Sequence, residues 1–241
     1  MRRFGVSLVV LALSAGLASA GGPGFGLDFG QADLDAITDA LGDVASFPNL
    51  GTAAPGGVTG FQILGAAGGP QIDSGSPWWH YVPHSNVVGG VLVGQRAIVR
   101  KGLPLRLDVG AQVGKVFGDQ FWGADIRWAF MEAGTLQPAV ALRAAYSRID
   151  SSILDSLEVE EAQLVISKGL PLVSLYGAAG YRRVNGRATF GDPLPLAHSS
   201  TRTGVTGTVG AQLTLLPFLH LAGEVRRGAN TCVFVGLGVG H

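Results

Sequence analysis

The sequence predicts an all-β protein: an antiparallel, up-and-down transmembrane β-barrel of about ten strands, preceded by a short amphipathic helix. Three observations carry this reading. Apolar and polar residues alternate over most of the chain beyond Pro55, the period of a two-faced strand. The alternating segments run about 9 to 13 residues, whereas soluble strands usually have about five or six and membrane-crossing strands about 9 to 11. A Leu-Pro turn recurs before such segments, as Lys101–Gly114 (KGLPLRLDVGAQVG), Lys168–Tyr181 (KGLPLVSLYGAAGY) and, more loosely, Leu215–Val225 (LLPFLHLAGEV).

Taken in order, residues 1–20 read as a secretory signal peptide. Arg2 and Arg3 are followed by an apolar run from Phe4 to Leu13 and a small-residue Ala18-Ser19-Ala20 site, with cleavage expected near Ala20. The apolar run is short of the roughly 20 residues that span a bilayer as a helix. Residues 21–55 form a Gly-rich segment and a helix over about Gln31 to Phe47, where Leu34, Ile37, Leu41 and Val44 share one face and Asp33 and Asp35 suit the helix start. Pro48 ends it. Two roles stay open for this helix: a plug or periplasmic cap on the barrel, or the closure of one end of an ordinary core.

Residues 56–241 form the barrel domain. The expected strands are Val58–Ala66, Val87–Val99, Leu105–Val116, Phe121–Met131, Pro138–Ile149, Leu157–Ser167, Leu172–Val184, Thr203–Leu215, Phe218–Arg226 and Cys232–Gly240, with eight strands as the alternative count. Short links at the Leu-Pro turns and at Ala133–Gln137 alternate with more variable ones, of which Ala67–Asn86 and Asn185–Arg202 are expected to be long. Short turns on one side and longer loops on the other are the membrane-barrel pattern, with the short side periplasmic. By parity the first strand starts and the last ends on that side, so both termini are expected there. Trp122, Trp128, Tyr146, Tyr176, Tyr181, Phe218 and Phe234 fall on or near strand ends, as interfacial girdle residues do.

With these features residues 56–241 resemble the outer-membrane β-barrel proteins of bacteria with two-membrane envelopes. The resemblance implies outer-membrane localisation, with lipid and the barrel-assembly machinery as partners. The chain departs from that class at its end, Val239-Gly240-His241, where a terminal Phe is common.

Composition narrows the function. The chain has 17 basic and 17 acidic residues, a balance that offers no basic face for nucleic acid. Charged residues are 14% of the chain against about 25% in soluble proteins, as expected if much of the surface avoids water. One cysteine, Cys232, supports neither a disulfide framework nor a thiolate metal site, and no cofactor or metal is implied.

The polar face of the alternation collects Arg106, Asp108, Gln112, Asp125, Arg127, Arg143, Glu161, Gln163, His220, Glu224 and Arg226 as candidate lumen residues. In a narrow barrel these either pair as a polar core or line a small pore. Arg96, Arg100 and Lys101 around the first turn read as solvated interface charges. Trp78, Trp79, His80 and His84 in the longest loop are candidate outer-loop contacts, near Ser74, Ser76 and Ser85; His198-Ser199 is a second His/Ser pair. No orienting carboxylate is evident for either, so no catalytic residue is assigned. The reading is a non-enzymatic barrel with a structural or passive transport role for small solutes or apolar molecules. A secreted soluble barrel binding a hydrophobic ligand, and a membrane hydrolase using rim His/Ser residues, are the alternatives.

Overall fold

The computed structural model describes residues 30–72, 75, 86–134, 137–151, 153–190 and 196–240. The proposed signal peptide and the loop residues Trp78, Trp79, His80 and His84 lie outside the described residues. Helix α1 spans Gln31–Ala45. It is followed by β1 (Phe61–Pro70), a small hairpin of β2 (Val87–Val88) and β3 (Val91–Leu92), then β4 (Gly94–Leu103), β5 (Leu107–Val116), β6 (Asp119–Met131), β7 (Ala139–Asp150), β8 (Ser156–Gly169), β9 (Val173–Phe190), β10 (Leu196–Leu216), β11 (Leu219–Arg227) and β12 (Thr231–Gly240). Strands β1 and β4 to β12 close into one antiparallel barrel, each paired with its neighbour in the chain and β1 paired with both β4 and β12. Closure removes every sheet edge, the condition for strands in lipid. Ten strands is thus the observed count.

One end of the barrel carries the turns Pro104–Arg106, 132–138, 170–172 and 217–218; it is called here the turn end. The other carries the links 71–93, 117–118, 151–155, 191–195 and 228–230. The loop asymmetry is weaker than the sequence suggests. Only 71–93 is long, and part of it pairs as β2–β3. The expected loop Asn185–Arg202 is instead mostly strand: β9 and β10 run 18 and 21 residues and pair from Val173↔Leu213 to Phe190↔Leu196. The Gly/Ser/Thr content of that stretch resembles a loop, yet on β9 the alternation continues, with Val184, Gly186 and Ala188 buried between more exposed neighbours. The expected second strand also starts late, because Gly89-Gly90, both at positive φ, fold its first residues into the small hairpin.

The outer surface changes character along the strands. Toward the turn end it is apolar: Phe61, Ile63, Val99, Val113, Ile126, Leu142, Leu164, Ile166, Leu175, Val209, Leu221, Val235 and Leu237 are all exposed. From Trp122 to Phe130 on β6 and from Val205 to Leu215 on β10, this belt stands roughly 20–25 Å tall at the usual rise and tilt. Trp122, Tyr146 and Tyr181 mark its upper boundary, with Trp122 and Tyr146 in contact at 5.6 Å, and Trp128, Phe130 and Phe218 mark the lower one. Tyr176 and Phe234 are not girdle residues: both are buried inside the barrel.

Beyond the upper boundary β7 to β10 continue as a dome with a polar exterior. Glu158 and Glu160 on β8 oppose Asn185 and Arg183 on β9. The inner face there is apolar, with Ile149, Leu157, Val159, Val184 and Ala188 buried. Helix α1 lies inside this dome. Its N-terminus is held by the Asp33 carboxylate, which accepts from the Gly30 N–H at 3.1 Å. Leu34, Ile37, Leu41 and Val44 pack into the apolar cluster of the dome wall. The opposite stripe, Asp35, Asp39 and Asp43, pairs with Arg202 and Arg182. Gly42 touches the wall: a Cβ there would lie 2.8 Å from a Val184 methyl, so the helix seats against β9 only with glycine.

Candidate functional site: a lumen filled by polypeptide

After α1 the chain descends the barrel axis. Ser46 ends the helix by donating to the Asp43 carbonyl, and Pro48 offers no N–H to extend it. Residues 46–56 then run as irregular backbone through the centre of the apolar belt. Backbone without a regular partner is tolerated at that depth only where protein groups satisfy it. The barrel wall does so residue by residue. Arg96 donates to the carbonyls of Val44 and Ser46, both at 2.6 Å, and Gln112 to that of Ala45 at 2.9 Å. Arg143 and Arg226 converge on the Phe47 carbonyl, Arg100 reaches that of Pro48 at 2.9 Å, and Arg127 that of Thr52. Acceptors on the wall take the amide protons: Glu224 from Leu50 at 2.9 Å, the Ser167 hydroxyl from Ala53 at 2.9 Å and Asp108 from Gly56 at 3.0 Å.

The charges close on one another as well as on the plug. Arg100, Asp125, Arg143, Glu161, Arg226 and Glu224 form a continuous alternating series. Asp125 pairs with Arg143 at 2.8 Å and Arg100 at 3.6 Å, Glu161 with Arg226 at 2.8 Å and Arg143 at 3.7 Å, and Glu224 with Arg226 at 3.7 Å. These residues come from β4, β6, β7, β8 and β11, so the series passes around the lumen. The Phe47 ring lies at its centre, with the Arg100 and Arg143 guanidinium carbons each 5.2 Å from the ring centroid. Phe234 sits between Arg96 and Arg226 in the same way. Alternation of sign is what makes so many buried charges tolerable, since a lone buried ion costs several kcal/mol. Gly110 leaves room for the series: a Cβ there would fall 2.0 Å from an Asp125 carboxylate oxygen.

Of the residues expected in the lumen, Asp108, Gln112, Asp125, Arg127, Arg143, Glu161, Gln163, Glu224 and Arg226 are buried and point inward. Asp108 and Arg127 face each other across β5 and β6, yet each bonds the plug instead. His220 is half-buried at the turn end, with Nε2 2.8 Å from the Gly240 carbonyl oxygen. Arg106 is corrected: it lies in the exposed turn with Leu105, both at positive φ, and pairs with Glu132 at 2.7 Å. The turn adds a residue outside the alternation, so parity counted back from Asp108 fails there. Arg96 and Arg100 are corrected in the opposite sense. They are 5% and 7% exposed and point into the lumen, because β4 reaches the turn end only at Leu103. Their alternation with Gln95, Ala97, Val99 and Lys101 carried that signal.

Phe47, Asn49 and Arg182 were missed entirely. Asn49 donates to Gln163 at 3.1 Å, and Arg182 pairs with Asp43. The signal was the apolar character of Phe47, Leu50 and Ala53 in a stretch rich in Pro and Gly. The helix, expected either to plug or cap the barrel or to close one end of a core, occupies the dome, at the end opposite the turns. His198 and Ser199 lie on the exposed edge of the dome, where the Ser199 carbonyl accepts from Gln31 at 3.4 Å.

A cavity opens at each mouth. About 240 Å³ lies at the dome between Asp39, Arg182, Arg202 and Thr206. About 270 Å³ lies at the turn end between Gly56, Arg100, Asp108, Arg127 and His220. Between them lies the plugged section, where Phe47 and Leu50 are 1% and 0% exposed.

No family model matches this sequence, and no curated protein matches it. Solved structures are similar to it over most of the chain. The N-terminal β-barrel domain of Pseudomonas aeruginosa OprF is similar over 77% of this chain and 99% of its own, at 10% identity and a TM-score of 0.39. KdgM porin is similar over 74% and 98%, at 9% identity and a TM-score of 0.40. Ail, the attachment invasion locus protein of Yersinia pestis, is similar over 75% and 97%, at 12% identity and a TM-score of 0.36. Closure, an apolar outer belt and aromatic boundaries give this chain the architecture of an outer-membrane β-barrel.

Proposed function

We propose that this protein is a non-enzymatic outer-membrane barrel with a structural role, closed to diffusion by its own residues 31–56, with the turn end toward the periplasm and the dome outside. The single observation that carries the closed reading is the Phe47 ring seated inside the alternating charged series. A passive pore for small solutes needs that seat vacated, and vacating it exposes at least Arg143, Arg226 and Glu224 without their backbone partners. The apolar belt favours lipid over water as the surroundings, and therefore a membrane protein over a secreted soluble barrel. A barrel that binds a hydrophobic ligand needs an apolar cavity, whereas each mouth carries charged side chains, Asp39, Arg182 and Arg202 at the dome and Arg100, Asp108 and Arg127 at the turn end.

The test has two arms. The full chain should partition with membranes, need detergent for extraction and migrate differently on gels before and after heating. Recovery as a detergent-free soluble protein contradicts the membrane reading. In planar bilayers the same protein should give no steady conductance. A stable open pore at low applied voltage contradicts the plugged reading and restores solute transport.

A further inference from the structure

We infer that the chain crosses the membrane once more than its ten barrel strands require, through its own lumen, so that the residues preceding Gly30 leave on the dome side. This rests on the membrane placement proposed above. The path is fixed at three heights. At the dome, exposed Gly30 opens the helix, the Ser200 hydroxyl donates to Asp35 at 2.6 Å, and Asn230 donates to Asp43 at 2.8 Å. At mid-height the Phe47 carbonyl accepts from Arg143. At the turn end Gly56 is bound by Asp108, and the Gly102 N–H donates to the Gly60 carbonyl at 3.0 Å. Strand β1 then starts at Phe61 and climbs back toward the dome.

Two consequences follow from elementary topology. The N-terminal and C-terminal ends of the described chain, Gly30 and Gly240, lie on opposite faces of the membrane. The barrel also cannot take up this segment as an afterthought. Its wall side chains are the hydrogen-bond partners of residues 44–56, so the segment belongs inside when the sheet closes.

Epitope insertions in the full chain test this: one between Pro23 and Gly24, one in the 151–155 link of the dome and one in the Leu170–Leu172 turn. Antibody binding is compared on intact and permeabilised cells. The first tag should behave as the dome tag does, both bound on intact cells, with the turn tag bound only after permeabilisation. Sidedness of the first tag matching the turn tag overturns the inference. If the dome tag is sheltered and the turn tag exposed, the orientation proposed above fails, while a first tag that still follows the dome tag upholds the inference. Should a tag impair folding, a Gly30→Cys variant in a Cys232→Ala background gives the same readout with a membrane-impermeant maleimide. Its labelling on the dome side supports the inference, and labelling on the turn side overturns it.

Discussion

The dome and the belt are built from the same strands with opposite rules. On β8 the dome half points Glu158 and Glu160 outward and Leu157 and Val159 inward. A few residues on, Leu164 and Ile166 point outward and Glu161 and Gln163 inward. The dome follows the logic of a water-soluble protein, with an apolar interior closed around an amphipathic helix. The belt follows that of a membrane barrel, lined by charges that hold an irregular segment. The switch lies between Glu160 and Glu161 and needs no bulge, because the register with β9 is continuous through it. The lesson is that polarity phase, and not backbone geometry, tells each half of a strand which solvent it meets.

The largest break in this comparison is expected at Arg226, fully buried and bound to Glu161 and to the plug. Arg226→Leu strands Glu224 without its counter-ion, leaves Glu161 with Arg143 alone at 3.7 Å, and should cost about 3–5 kcal/mol. Urea titration of the heat-modifiable folded band reads this, and an unchanged midpoint contradicts a paired core. In the dome, Leu41→Ala should cost about 2–5 kcal/mol by leaving a cavity in the apolar cluster, a loss seen in the same titration. A lipid-facing charge separates the halves on their outer faces. Leu164→Lys should cost about 2–4 kcal/mol at belt depth. Glu160→Lys, on the dome exterior, should change stability by no more than about 0.5 kcal/mol in paired measurements. A similarly small effect is expected at the exposed Arg106–Glu132 pair, where Arg106→Ala should cost about 0–1 kcal/mol and lose even that at high salt.

Much of the barrel was legible because alternation is a strong signal. Ten strands, their order and nine of the inward polar residues follow from period two alone. What escaped has physical reasons. Alternation marks two faces without saying which is wet, so the inversion on β8 and the extension of β9 and β10 past the apolar belt leave no separate signal in the sequence: Asn185–Arg202 simply has the polar composition of a loop. The helix was legible from Leu34, Ile37, Leu41 and Val44, but its place was not, since an apolar stripe does not name the wall it packs on. The plug left the faintest trace. Its backbone is held through carbonyls and amides, which every residue has, so Pro48 to Gly56 looks like a linker. Arg96 and Arg100 escape that reading because β4 runs on through Leu103, past the expected strand end at Val99.

The inversion along β8 is tested most directly by spin labels placed singly at residues 157 through 167 in a Cys232→Ala background, with accessibility to oxygen and to a water-soluble nickel quencher measured in lipid. At positions 158 and 160 the nickel reagent should dominate, at 162, 164 and 166 oxygen should dominate, and at 157 and 159 both should be excluded. A single phase running unchanged from 157 to 167, with 158 and 160 as oxygen-accessible as 164, would contradict the two-solvent account.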